Sequence, residues 1–174
     1  MPRNARGGQA DSDSRDPAQL PGPSLPHAPT CPRSLPPMAY TYSHEHRVRY
    51  RECDPMGVVY HTHYLDFFEV GRTEALRHAG VRYRDLEAAG IIMPVVDVEV
   101  QYHSPARYDD LLVVDVHFEQ MPTVRVPIDY TVRRDGEDDA LVTGHTTLCF
   151  MDAEARRPTQ PPDMVQGAFA PLLN

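Results

Sequence analysis

The spacing of apolar residues changes along this chain, and each change marks an element. From about 58 to 80 they fall at Tyr64, Phe68, Gly71, Ala75 and Ala79, with Leu65, Phe67 and Leu76 widening the stripe. Steps of three and four residues put these positions on one face of an α-helix. Glu69, Arg72, Glu74 and Arg77 supply a charged side at pairing distance along the helix. Gly71 and Ala75 are small, so a second backbone can approach their face closely. The helix is predicted to begin between Val58 and His63 and to stop at Gly80. Residues 81–90, VRYRDLEAAG, predict a short second helix ended by Gly90.

After Gly90 the period shortens to two. Residues 91–103 alternate, with Val96, Val98, Val100 and Tyr102 facing one way, and further strands are predicted over 111–119, 123–134 and 140–151. Pro127 predicts an exposed ladder position, a bulge or an edge in the third of these. Upstream, 44–51 alternates weakly, with Val48 and Tyr50 on one side and Arg47, Arg49 and Arg51 on the other, as in a half-buried or edge strand. The order is strand, long helix, short helix, four strands, without βα repeats. That order predicts an α+β domain in which one antiparallel sheet, its consecutive strands forming a meander, packs a face against the long helix. From Pro158 onward the chain is expected to be mostly irregular, with a short docked turn over 164–169.

Composition adjusts this picture at its ends. Residues 1–37 hold nine of the 18 prolines and no repeating apolar face, which predicts a disordered extension without a catalytic role, ahead of a domain over 38–163 and a tail over 164–174. A 41% hydrophobic content supports one folded core. The formal charge of −8 argues against a broad grip on nucleic acid or anionic lipid, while leaving room for a small phosphate pocket among basic residues that are all Arg. Cys31, Cys53 and Cys149 are odd in number and form no paired framework, which favours a reducing compartment. With no run of about 18 apolar residues and no apolar leader, stable membrane insertion and secretion are not expected, and the cytoplasm is.

Candidate chemistry concentrates where the first strand gives way to the long helix, in the run ECDPMGVVYHTH over 52–63. Asp54 precedes a Pro-Met-Gly turn and a helix start whose free N–H groups favour negative charge. It could activate water or attack a carbonyl held by those amides, or simply cap the turn. His61 could orient a substrate as a hydrogen-bond donor or lie half exposed at the helix start. His61 and His63 with Cys53 match no usual zinc spacing, and His63 is expected to be structural or exposed. Cys53 as a nucleophile lacks a visible His partner. Glu69 is either an ion-pair partner of Arg72 or a second carboxylate facing the site. A serine elbow, a Walker loop and a dinucleotide fingerprint are all missing from the sequence.

The run RYRECDPMGVVYHTHYLDFFEVGRTEALR over 49–77 closely resembles the hotdog-fold acyl-CoA thioesterases of the 4-hydroxybenzoyl-CoA thioesterase superfamily, in particular the branch related to the Tol-Pal-associated thioesterases. The resemblance extends over about 42–163, through YHSPARYDDLL at 102–112 and ALVTGHTTLCF at 140–150. It implies a five-stranded antiparallel sheet wrapped around a long central helix, and an acyl-CoA site formed between two protomers of a homodimer, or of a tetramer built from such dimers. It also implies hydrolysis of an acyl-CoA thioester without a cofactor, coenzyme A being part of the substrate.

Residue by residue, the family's catalytic Asp falls on Asp54 and its motif histidine on His61. The carbonyl-polarising amides fall around Gly57 to Tyr60 and the start of the helix. Val58, Val59, Tyr64, Phe68 and Glu69 are implied to line the substrate site. Arg107, or a surface Arg such as Arg133 or Arg134, is a candidate for the coenzyme A phosphates. Phe67, Phe68 and Met93 could line an acyl pocket or fill the core. Cys53 stands where the family commonly has Thr, and His63 where Asn is frequent. A binding module without turnover and a hydratase on the same fold are the alternatives; thiol release from acyl-CoA separates the first from a hydrolase.

Overall fold

The computed structural model describes residues 39–173; the expectations for 1–37 lie outside them. Strand β1 (Tyr40–Arg47) leads through a single 3-10 turn (Tyr50–Glu52) and a hairpin to helix α1 (His63–His78) and helix α2 (Tyr83–Ala88). Then come β2 (Ile91–Ile92), β3 (Val95–Tyr102), β4 (Leu111–Phe118), β5 (Arg125–Arg134), β6 (Ala140–Cys149), β7 (Met151–Asp152) and α3 (Asp163–Phe169). Five strands form one antiparallel sheet in the order β1-β4-β5-β6-β3, and β2 pairs with β7. The meander therefore covers β4 to β6 only. β3 does not neighbour β4 as a simple meander requires; it closes the far edge beside β6, and the loop 103–110 carries the chain across to β4.

Helix α1 lies on the sheet through the stripe its spacing predicted. Tyr64, Phe67, Phe68, Gly71, Ala75 and Leu76 are buried. The lack of a side chain at Gly71 lets the helix settle on β4, since a Cβ there would come within 3.0 Å of Val116 and 3.2 Å of Val114. One turn earlier Phe68 fills the space above Gly144 of β6 and stacks on Tyr130 of β5, with ring centroids 4.3 Å apart. Each such large side chain, fully withdrawn from water, contributes about 1.5–3 kcal/mol. Leu65, counted with the apolar stripe from sequence, is 40% exposed.

Other differences have local causes. Val48 is buried, whereas Tyr50 is 83% exposed, so the two do not share a strand face. The 3-10 turn at Tyr50–Glu52 redirects the chain between them. Pro127 lies in the central strand opposite Thr147, past the last β4 partner of β5 at Asp129, where its missing N–H leaves no ladder bond unmade. The register shift in β5 falls at Val132/Arg133 instead. The docked turn expected over 164–169 is helix α3, whose Val165 and Phe169 are buried; Phe169 packs against Tyr40 and Phe118. Among the described residues no helix is long and apolar enough to cross a membrane.

Candidate active site

The residues from Glu52 to Tyr60 form a tight hairpin. Tyr60 N–H donates to the Glu52 carbonyl (2.9 Å), Asp54 N–H to the Val58 carbonyl (3.0 Å), and Cys53 bridges Val59. At the tip, Gly57 N–H donates to the Asp54 carbonyl (2.9 Å), and Gly57 takes a φ of +76°, open to glycine at little cost. Asp54 Oδ1 accepts the Met56 N–H (2.8 Å), an Asx turn of the kind Asp-Pro sequences favour. Asp54 Oδ2 accepts no hydrogen bond among the described residues. Asp54 is thus half-buried, fixed by one oxygen and open at the other.

The hairpin is held at its base by a buried acid, the first residue of the ECDPMG run. Glu52 is only 4% exposed; its Oε2 accepts the Arg49 N–H (2.8 Å) and bonds His46 Nε2 (2.9 Å). Burial alone would raise the Glu52 carboxyl, but the Arg49 amide and His46 outweigh it and hold the group below the usual range. A carboxylate lowered in the folded state stabilises the fold fully above its unfolded value and loses that contribution as pH falls through the lowered folded value. Thermal melts should therefore show Glu52→Gln less stable than wild type at neutral pH, with the gap narrowing as pH is taken below the ordinary glutamate range. A gap independent of pH would show that the carboxylate charge is not what steadies the hairpin.

Beyond Tyr60 the chain turns into α1. Thr62 occupies the N-cap with helical dihedrals and no side-chain cap, so the first amides are not satisfied from within. His63 N–H finds the Tyr60 carbonyl and Leu65 N–H the Thr62 carbonyl, both at 3.0 Å. Among the described residues, Val58, His61 and Thr62 N–H have no acceptor. The polarising donors were expected around Gly57 to Tyr60 and the start of the helix; in the first group the Gly57, Val59 and Tyr60 amides are spent on Asp54, Ala106 and Glu52, and the Val58 amide is free. At the start of the helix the His61 and Thr62 amides are also free, and there the helix dipole adds to them.

Tyr102 of β3, which no motif singled out, donates to the His61 carbonyl (3.0 Å) and packs edge-on to the rings of His61 and Tyr64. It fixes the peptide that leads into those free amides. The signal for it was its place in the alternating run of β3, but only the sheet order shows that β3 passes beside the helix start.

The remaining expected site residues divide. Val59, Tyr64 and Phe68 are core positions, 5%, 2% and 0% exposed. Val59 N–H donates to the Ala106 carbonyl (2.9 Å) and Tyr64 Oη accepts the Ala106 N–H (3.4 Å), so both tie the hairpin and helix to the 103–110 loop. Val58 is half-buried and Tyr60 exposed, its ring 4.3 Å from that of His61. Glu69 points to solvent, 4.0 Å from Arg72. His63 pairs with Asp66 (3.0 Å). Burial, and then the carboxylates of Glu52 and Asp54, push the Cys53 thiol up, against the thiolate a nucleophile needs.

Arg133 and Arg134, offered for phosphates, are taken by Asp115 and Asp110, each at 2.9 Å. Arg107 is exposed beside the hairpin anchor, and its guanidinium is unpaired among the described residues. Those residues also contain no group of three or more His, Cys, Asp or Glu side chains able to hold a metal ion.

The sequence profile of the thioesterase-like superfamily matches residues 48–169, which takes in the hairpin, α1 and the sheet from β3 through β6 to α3. The chain belongs to that superfamily. Among curated relatives, YneP of Bacillus subtilis, a candidate acyl-CoA thioesterase, is 34% identical over 116 residues, covering 67% of this chain and 83% of the relative. The acyl-CoA thioesterase YbgC of Haemophilus influenzae is 30% identical over 126 residues, covering 71% and 90%. The crystal structure of DHNA-CoA thioesterase from Staphylococcus aureus superposes with a TM-score of 0.70 at 28% identity, covering 75% of this chain and 89% of that one. The fold is the hotdog fold of those thioesterases. The matched region ends at residue 169, the last residue of α3.

Proposed function

We propose that this chain hydrolyses acyl-CoA thioesters to a free acid and coenzyme A, with Asp54 as general base or nucleophile and the His61 amide as donor to the carbonyl oxygen. The observation that carries this reading is the juxtaposition on one hairpin of a carboxylate with a free oxygen and unpaired amides at the start of a 16-residue helix. In the general-base form a water oxygen bonds to the thioester carbon while Asp54 takes its proton. The carbonyl oxygen gains negative charge, which the aligned N–H groups stabilise more than they do the ground state. The C–S bond then breaks, and the coenzyme A thiolate recovers the proton. In the nucleophilic form Asp54 Oδ2 attacks first and water cleaves the resulting anhydride. Either course balances with water alone, so no cofactor is called for.

Gly57 serves through the turn it permits, Tyr60 through its ring against His61, and Arg107 is the candidate for a coenzyme A phosphate. The test is release of free thiol from a panel of aliphatic and aromatic acyl-CoA thioesters. Binding without release would make the chain an acyl-CoA binding module instead.

The functional unit is proposed to be at least a homodimer. β3 is a sheet edge of eight residues whose Val95 and Val98 are 40% and 44% exposed, a long apolar edge of the kind that a two-fold copy covers. Sedimentation should give a dimer or a dimer of dimers, and Val98→Asp should shift it toward monomer with loss of activity. A fully active monomer would refute the dimeric site.

A further inference from the structure

An aromatic corner stands beside the catalytic hairpin and takes no part in the core. Tyr50 and Tyr108 are the two most exposed tyrosines among the described residues, 83% and 58% open to water. Their rings meet edge to face, with centroids 5.8 Å apart and planes at 81°. Two rings at right angles leave a notch in which a third flat ring can lie face-on to one and edge-on to the other. Surface left this open adds little to folding, so the pairing of the two rings calls for another reason.

The backbone under this corner is fixed on both sides. Tyr50 opens the 3-10 turn, and its carbonyl accepts the Cys53 N–H (3.3 Å). In the loop 103–110, Asp109 N–H donates to the Val48 carbonyl (3.1 Å) and Val48 N–H to the Asp110 carbonyl (2.9 Å). Arg47 donates to the Asp109 carbonyl (2.7 Å), and Arg134 to the Asp110 carboxylate (2.9 Å) and the Pro105 carbonyl (2.6 Å). These bonds hold Asp109 at a φ of +70°, a conformation uncommon outside glycine. Such backbone persists only where its surroundings over-determine it, and it gathers at functional sites.

Arg107 completes the corner. It directly precedes Tyr108, is exposed, and has its guanidinium unpaired among the described residues. The acids around it are engaged: Asp110 accepts from Arg134 and from the Arg107 amide (2.8 Å), and Asp109 faces Arg47 at 3.8 Å. A pinned loop thus presents a flat apolar notch and an unpaired cation side by side, in a chain whose formal charge is −8. A ligand that joins an aromatic base to a phosphate matches both.

We infer that this corner seats the nucleotide end of coenzyme A, with the adenine ring against Tyr50 and Tyr108 and a phosphate on Arg107. This rests on the proposed hydrolysis of acyl-CoA thioesters. The catalytic hairpin is within reach: Tyr108 N–H meets the Cys53 sulfur, and Tyr50 stands four positions before Asp54, at most about 14 Å of chain. The pantetheine arm covers that distance, so the base rests in the notch while the thioester carbon lies at Asp54. The corner therefore recognises the carrier and leaves the acyl group unselected. It distinguishes a coenzyme A thioester from one on the bare pantetheine arm.

In the experiment, coenzyme A and pantetheine are titrated calorimetrically into the full chain, and kcat/KM is measured for the octanoyl thioester of each. Coenzyme A should bind at least about tenfold tighter, and its thioester should be favoured to the same degree. Tyr50→Ala and Tyr108→Ala should each cut both preferences about tenfold, the scale of a base stacked on an aromatic ring. Arg107→Met should cut them about fivefold and flatten the salt dependence of coenzyme A binding. All three side chains are exposed, so the melting temperature should hold. Equal affinities in the wild-type chain, or a preference untouched by all three variants, overturns the inference even if both thioesters are cleaved. A preference in binding that the variants lose, with no thioester cleaved, upholds the corner and removes the proposed reaction. A shift toward monomer in Tyr50→Ala or Tyr108→Ala, with coenzyme A affinity unchanged, assigns the corner to a subunit contact and overturns the inference as well.

Discussion

Asp54→Asn is expected to lower kcat for acyl-CoA hydrolysis by about 10²- to 10⁴-fold, the usual contribution of a positioned acid or base, with the melting temperature essentially unchanged. The substitution separates chemistry from architecture. The asparagine carbonyl oxygen can still accept the Met56 N–H that Asp54 Oδ1 accepts, so the Asx turn, Gly57 and the entry into α1 stay in place. What is lost is the second, unbonded oxygen and its charge, which either removes a proton from water or attacks the thioester carbon. Substrate binding should survive, since the free amides at His61 and Thr62 are backbone groups. Turnover and stability both unchanged would remove Asp54 from the reaction. A collapse of both would show that its role lies in the turn.

The largest expected effect on stability comes from Gly144→Val. A Cβ at 144 would clash with the edge of the Phe68 ring and lie 3.3 Å from the Glu99 carbonyl oxygen. Phe68 is clamped by Tyr130 on its other side, so it cannot yield without lifting α1 from the sheet. A glycine replaced in a strand normally gains a few tenths to about 1 kcal/mol from the stiffer unfolded chain. Overpacking costs about 1–3 kcal/mol and occasionally more; at a site this confined the upper end should prevail, a loss of about 3 kcal/mol and a fall in Tm on the order of 10 °C. Calorimetric melting checks it. Wild-type stability in the variant would mean that α1 and β6 can separate without penalty, and that Phe68 does not fix the height of the helix above the sheet.

The candidate site was legible in part because its chemistry is local. Asp54, Pro55 and Gly57 announce a turn by their own backbone preferences, and the stripe from Tyr64 to Ala75 announces a helix directly after it. Which amides are free was not legible. The Val59 and Tyr60 N–H groups are consumed by Ala106 and Glu52, and Ala106 is remote in sequence. Val59, Tyr64 and Phe68 are buried in this chain, and apolar residues next to a catalytic motif have the same sequence signature whether they meet substrate or core. Arg133 and Arg134 looked free because the acids that hold them, Asp115 and Asp110, lie on β4 and at its entrance.

By itself the sequence determined the two helices after the bend, the four longer strands that follow them, the α+β class and the bend that carries Asp54, because periodicity and turn chemistry act over a few residues; the first strand it placed at 44–51 lies at Tyr40–Arg47. The tertiary structure alone decided that β3 crosses to the far edge beside β6 and that Tyr102 meets His61. Those outcomes depend on pairings between residues tens of positions apart, and such pairings are settled by how the whole sheet packs around one helix.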